Sequence, residues 1–187
     1  MTNRTHGFTL VELVVGIVVL AIAMMVMNTM LISQSKDALE PLYRLRASQL
    51  GQSIMQDILS RAYDQNSDHN GGYYRCGEIW DILSPAQLVS CTSAISYGPE
   101  GDEIGSDQER KHAEFNDVDD FITVGFVNVR IYGDVLAKDL PQQYENYSVK
   151  IAVAAETVSG VTMKCIDVSI KTPSNEQIRF SALKGNY

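Results

Sequence analysis

Three patterns in the chain predict an α+β fold: one long N-terminal helix packed against an antiparallel sheet of about four strands. Residues 13–27 contain nothing charged or strongly polar. Beyond them Leu39, Leu42, Leu45/Arg46, Leu50, Ile54, Ile58 and Ala62 recur mostly every three or four residues, the spacing of one helix face. After residue 120 the period changes to two, as in strands with one buried face. A helix and a sheet with one apolar face each bury both by packing together.

The helix is expected over residues 8–62, with 8–32 as a membrane span. Those first 25 residues would measure roughly 37 Å, more than a hydrocarbon core of about 30 Å. No Lys or Arg lies between Arg4 and Lys36, so the positive end stays cytoplasmic and the rest of the chain crosses the membrane. A cleavable secretory signal would need a shorter apolar run followed by a small-x-small site, and "NTMLISQSKDALEP" offers none. Within the second half, Pro41 lacks an amide hydrogen and crowds the preceding turn, which predicts a kink or local opening at 37–41. "DQNSDHNGG" then stops the helix with turn formers and glycines.

The head is expected at 63–187, as a connecting region with little regular structure (63–120) followed by the sheet and C-terminal segment (121–187). Strands are predicted around Val127, Val129 and Ile131, around Val149, Ile151 and Val153, around Ile166, Val168 and Ile170, and around Ile178 and Phe180. Turns fall near Gly133, Ser159-Gly160 and Pro173-Ser174-Asn175. Past the membrane the compartment of a bacterial cell permits disulfides. Cys76 and Cys91 are the expected pair, closing a loop worth about 3 kcal/mol in the chain-entropy picture. Three reduced thiols, two of them buried, are the alternative. The pairing leaves Cys165 odd, and its strand context suggests a plain packing or surface position.

Composition limits the chemistry. With 23 acidic against 15 basic residues and a net charge of −8, no clustered basic face exists to displace counterions from nucleic acid. "NDVDDF" invites comparison with a calcium loop, but counting from Asp117 the sixth and twelfth places hold Ile122 and Asn128 instead of glycine and glutamate. The stretch therefore reads as a solvated acidic loop, with an irregular calcium site shared with Asp102, Glu103 or Asp107 as the alternative. His69 and His112 have no partners at zinc-ligand spacing. Met24, Met25, Met27 and Met30 read as flexible packing residues. No nucleophile elbow, phosphate loop or dinucleotide fingerprint occurs. No catalytic residue, metal or cofactor is expected.

The short leader "MTNRTHG", the Gly7-Phe8 junction, "FTLVEL" with Glu12 fifth after that junction, and the apolar run follow one another in order. Together they resemble the class III signal of type IV pilins and related pseudopilins. The resemblance implies a pilin fold, cleavage by a prepilin peptidase between Gly7 and Phe8, N-methylation of Phe8, and a non-enzymatic filament subunit. Its implied partners are major and minor pilin subunits, met through the N-terminal helix, and an inner-membrane assembly platform. The protein would sit in the inner membrane with a periplasmic head and later in a surface filament. More weakly, "RCGEIWDILSPAQLVSCTSAISYGPEGDE", "FNDVDDF" and "FSALKGNY" are similar to minor pilins of mannose-sensitive hemagglutinin (MSHA) pili. A type II secretion pseudopilin shares the same stem, and an uncleaved bitopic protein with a periplasmic domain is the reading from another class.

Glu12 then acquires a physical role. A lone acid within a span costs on the order of 2.5–3.5 kcal/mol. A cation about 4 Å away at an effective dielectric of 20 returns about 4 kcal/mol before desolvation. The cation implied by the family is the Phe8 amine of a neighbouring subunit.

Overall fold

Thr9 starts the helix. Its carbonyl accepts the Leu13 N–H (3.2 Å) and its Oγ1 accepts the Glu12 N–H (3.3 Å), so it serves as N-cap to α1, Leu10–Ser60. The structure, a computed structural model, describes residues 7, 9–69, 73–82, 85–104, 114–132 and 142–186, with the backbone alone for 31–38. Phe8, Asp107, His112 and the turn at Gly133 lie outside the described residues.

The chain forms two compact units, Met1–Leu42 and Tyr43–Tyr187. In the first, Leu10–Met30 is long and apolar enough to cross a membrane, and all its residues are exposed. The Thr29 hydroxyl donates to the Val26 carbonyl (2.8 Å), so its polarity is satisfied within the helix. Pro41 lies inside α1, and the backbone is helical on both sides of it.

In the second unit the remaining helical residues belong with the sheet. Ala47, Leu50, Ile54 and Ile58 are buried against Val149, Ile151, Ile166, Val168 and Ile170, with Phe115, Phe121, Tyr132 and Tyr147 completing the core. The expected apolar stripe begins too early, since Leu39, Leu42 and Leu45 are exposed. Leu45 and Leu50 are five residues apart, about 140° around the helix, and cannot share a face. The true inward row runs 47, 50, 54, 58. Gly51 adjoins that row where the Phe180 ring approaches the helix closely.

A small antiparallel pair, β1 (Glu78–Trp80) and β2 (Gln87–Val89), interrupts the region expected to be irregular. Its three-residue strands are too short to show a period in sequence. The main sheet contains β3 (Val127–Asn128), β4 (Ser148–Val158), β5 (Val161–Lys171) and β6 (Gln177–Gly185), antiparallel in the order β3-β4-β5-β6. Ser159 and Gly160 join β4 to β5 with positive φ angles of 52° and 83°, a two-residue turn whose twist matches the strands.

The first strand of this sheet is shorter than its alternation predicts. Asn128 Oδ1 accepts the Arg130 N–H (2.9 Å), an Asx turn that winds Val129–Tyr132 into a 3-10 helix. Val129 and Tyr132 go inward while Ile131 faces out.

Candidate functional site

Two regions carry functional side chains. The first is the N-terminal segment. Gly7 is exposed, Phe8 is outside the described residues, and Glu12 stands in the first turn of α1 with its N–H on Thr9 Oγ1. Thr9-x-x-Glu12 has the form of a capping box, in which the third helical residue is Glu or Gln. Sequence reasoning focused on the charge of Glu12 and missed the capping spacing that was its local signal. Downstream, the apolar stretch Leu10–Met30 is exposed along its whole length. An apolar surface of that extent belongs in a membrane or against other helices.

Residues 2–28 match the family model of the prokaryotic N-terminal methylation motif. The N-terminus is a type IV prepilin-like signal. Such a signal implies processing by prepilin peptidase and assembly into pilus-type complexes, and with the apolar helix it fits an inner-membrane anchor. The motif marks a structural class of proteins, not a catalytic one. The four-stranded antiparallel sheet and the long helix make an α+β architecture consistent with the pilin fold. No curated protein and no solved structure matches the chain.

The second region is a buried ionic cluster in the head. Lys164 on β5 is fully buried. Its Nζ hydrogen-bonds Asp119 Oδ1 and Asp64 Oδ2, the latter at 3.4 Å, and lies 4.9 Å and 4.7 Å from the ring centroids of Tyr63 and Tyr97. Asp64 also accepts the Thr92 N–H and hydroxyl, and Asp119 Oδ2 accepts the Gly98 N–H (3.2 Å). One amine thus ties the end of α1, the segment after Cys91 and the loop before β3 to the sheet.

Burial alone would lower the Lys164 pKa, but Asp117, Asp119 and Asp64 together raise it. The amine stays protonated, so it is neither a base nor a nucleophile. Burial is also the main reason Asp117 is pushed up to about 8, helped by the charges of Asp119 and Asp120 and opposed by Lys164. The same burial raises Tyr63 and Tyr97, which remain neutral phenols over the cation.

These carboxylates correct the reading of "NDVDDF" as solvated. Asp117, Asp119 and Asp120 are all buried, held by backbone N–H groups that composition does not reveal. Lys164 was legible in principle: it is in phase with Ile166, Val168 and Ile170, a cation on the inward face.

Cys76 and Cys91 are joined by a disulfide with Cα atoms 4.7 Å apart. Cys165 is a free, half-buried thiol on the opposite face of β5 from Lys164, its pKa raised by burial and then by Asp167 and Glu156. A polar cleft of about 290 Å³ lies near Arg61, His69, Arg75 and Lys184. Two of its cations have internal partners: Lys184 Nζ donates to Leu59 O (2.8 Å), and Arg61 to Phe115 O and Asp57.

Proposed function

We propose that the chain is a minor type IV pilin of an MSHA-type pilus, MshD-like, that helps prime or cap the filament. A prepilin peptidase cuts between Gly7 and Phe8 and the new Phe8 amine is methylated. The span holds the protein in the inner membrane with its head in the periplasm until the helix joins major and minor subunits through the assembly platform. Glu12 then pairs with the Phe8 amine of a neighbour. The protein has no catalytic role and binds no nucleic acid.

One observation carries the filament-subunit part of this reading: a prepilin-like signal runs directly into an exposed apolar helix whose first turn holds Glu12. The head of ~125 residues forms a single core with the helix end, which favours assembly over a separate adhesive domain.

Intact-mass measurement of the membrane-extracted protein, with immunoblotting of sheared surface filaments, tests the proposal. A mass starting at methyl-Phe8 and presence in sheared pili are expected. A mass starting at Met1 would identify an uncleaved bitopic protein instead. A processed protein confined to the envelope, copurifying with a type II secretion platform, would identify a pseudopilin.

A further inference from the structure

Apart from the Lys164 cluster, three acids converge with no Lys or Arg paired to them among the described residues. Glu100 and Glu103 flank a turn in which the Glu103 N–H donates to Glu100 O (3.1 Å) and the Glu100 N–H donates to Glu103 Oε2 (3.2 Å). Asp120 meets them from the 3-10 turn Asp119–Phe121. One carboxylate oxygen of each lies within 4.8 Å of those of the other two. Glu103 and Asp120 are 2% and 0% exposed, which places them well away from bulk water.

Their protein donors satisfy only part of this charge. Asp120 Oδ2 accepts the Asn116 and Asp117 N–H groups (2.9 Å each), and Glu103 Oε1 accepts Asn116 Nδ2 (2.8 Å). Asp120 Oδ1 and Glu100 Oε2 are buried with no hydrogen-bond partner, and so is Asn116 Oδ1. Among the described residues, neither Lys nor Arg donates to any of the three acids. Unpartnered buried carboxylate oxygens are strongly disfavoured. Three carboxyl groups this close together, two of them with such an oxygen, call for a bound cation or shared protons.

We propose that Glu100, Glu103 and Asp120 form a calcium-type divalent cation site in the head. The donor set is oxygen only, which suits a hard cation and not zinc. Two acids from one turn and one from a separate loop give an irregular cage, which calcium tolerates and octahedral magnesium does not. Protons are the competing ligand. Burial, followed by the charge of Asp120, pushes Glu103 up to about 8. The bound ion links the 100–103 turn to the 116–120 loop beside the Lys164 cluster.

The test is calorimetric titration of chelator-stripped full-length protein in detergent with calcium chloride, paired with thermal unfolding. One calcium per chain is expected, with a Kd between about 10 μM and 1 mM, and a Tm rise of about 5 °C near saturation. Magnesium gives a clearly smaller rise. Glu103→Gln weakens calcium binding by about tenfold or more, whereas Glu156→Gln, at an exposed acid on β4, leaves it unchanged. Absence of both heat and Tm shift up to about 5 mM calcium overturns the proposal, as does an equal response from the two variants. Should Glu103→Gln not fold, Glu100→Gln, at a half-buried position, replaces it: weakened calcium binding supports the site, and unchanged binding overturns it.

Discussion

The ring of Phe180 on β6 packs directly on the α-carbon of Gly51 in α1. A Cβ at Gly51 would stand 3.0 Å from Phe180 Cζ and closer still to Cδ2 and Cε2. Glycine weakens a helix interior by about 1 kcal/mol relative to alanine, yet here it lets helix and sheet approach.

Gly51→Val combines overpacking with a β-branched residue in a helix, and is expected to destabilise the head by about 1–3 kcal/mol. Adding Phe180→Leu should recover part of the loss. Thermal unfolding of the two single variants and the double variant checks it: strictly additive effects would mean that the contact does not limit packing.

Removing the buried cation should be more severe. Lys164→Met leaves Asp64 and Asp119 without their shared partner, and breaking such a buried pair costs roughly 3–5 kcal/mol. Near-ultraviolet circular dichroism against temperature measures the loss. A variant as stable as the wild type would show that the cluster contributes nothing net.

Asp117 and Glu103 set a pH dependence. Their ordinary values of 3.8 and 4.5 are each raised to about 8 in the folded protein, mainly by burial. Between those limits the folded state holds more protons than the unfolded one, so stability falls as pH rises. In the presence of chelator, Tm should increase on acidification from about pH 8.5 to pH 5.5, and Glu103→Gln should flatten the slope. A Tm that falls on acidification over this range would contradict the raised values.

The disulfide spans a separation of 15 residues in the head. Replacing Cys76 and Cys91 together by alanine should cost about 3 kcal/mol, through the freedom regained by the unfolded chain. Denaturant titration of the full chain in detergent reads the difference.

At the N-terminus, capping and charge can be separated. Glu12→Gln keeps a residue suited to the capping box but removes the carboxylate, whereas Thr9→Ala removes the cap, worth about 1 kcal/mol, and keeps the charge. If Glu12 pairs with a neighbouring amine, Glu12→Gln should be depleted from sheared filaments at normal membrane levels, and Thr9→Ala largely retained. Immunoblots of the two fractions decide.

What could be read from sequence followed from how strongly the surroundings restrict each position. A membrane demands continuous apolarity, so the first helix half was plain. The inner face of β4–β6 excludes most polar groups, so alternation marked those strands. The two-residue β3 was overextended because Asn128 turns the chain with a hydrogen bond that periodicity does not register. The buried cluster was harder. Asp64 and Lys164 are 100 residues apart, and an acidic run such as "NDVDDF" looks the same whether water or backbone N–H groups solvate it.

The distances along the chain between paired groups have a temporal meaning. Lys184 on β6 donates to Leu59 O near the end of α1, 125 residues earlier, and Asn186 Nδ2 donates to Cys76 O, 110 residues earlier. A chain emerging from the ribosome presents its helix first and β6 much later. Until β6 arrives, Gly51 lacks its aromatic cover and Ile54 and Ile58 lack a finished sheet. The amphipathic half of the helix therefore waits with its core face bare until the last strand arrives.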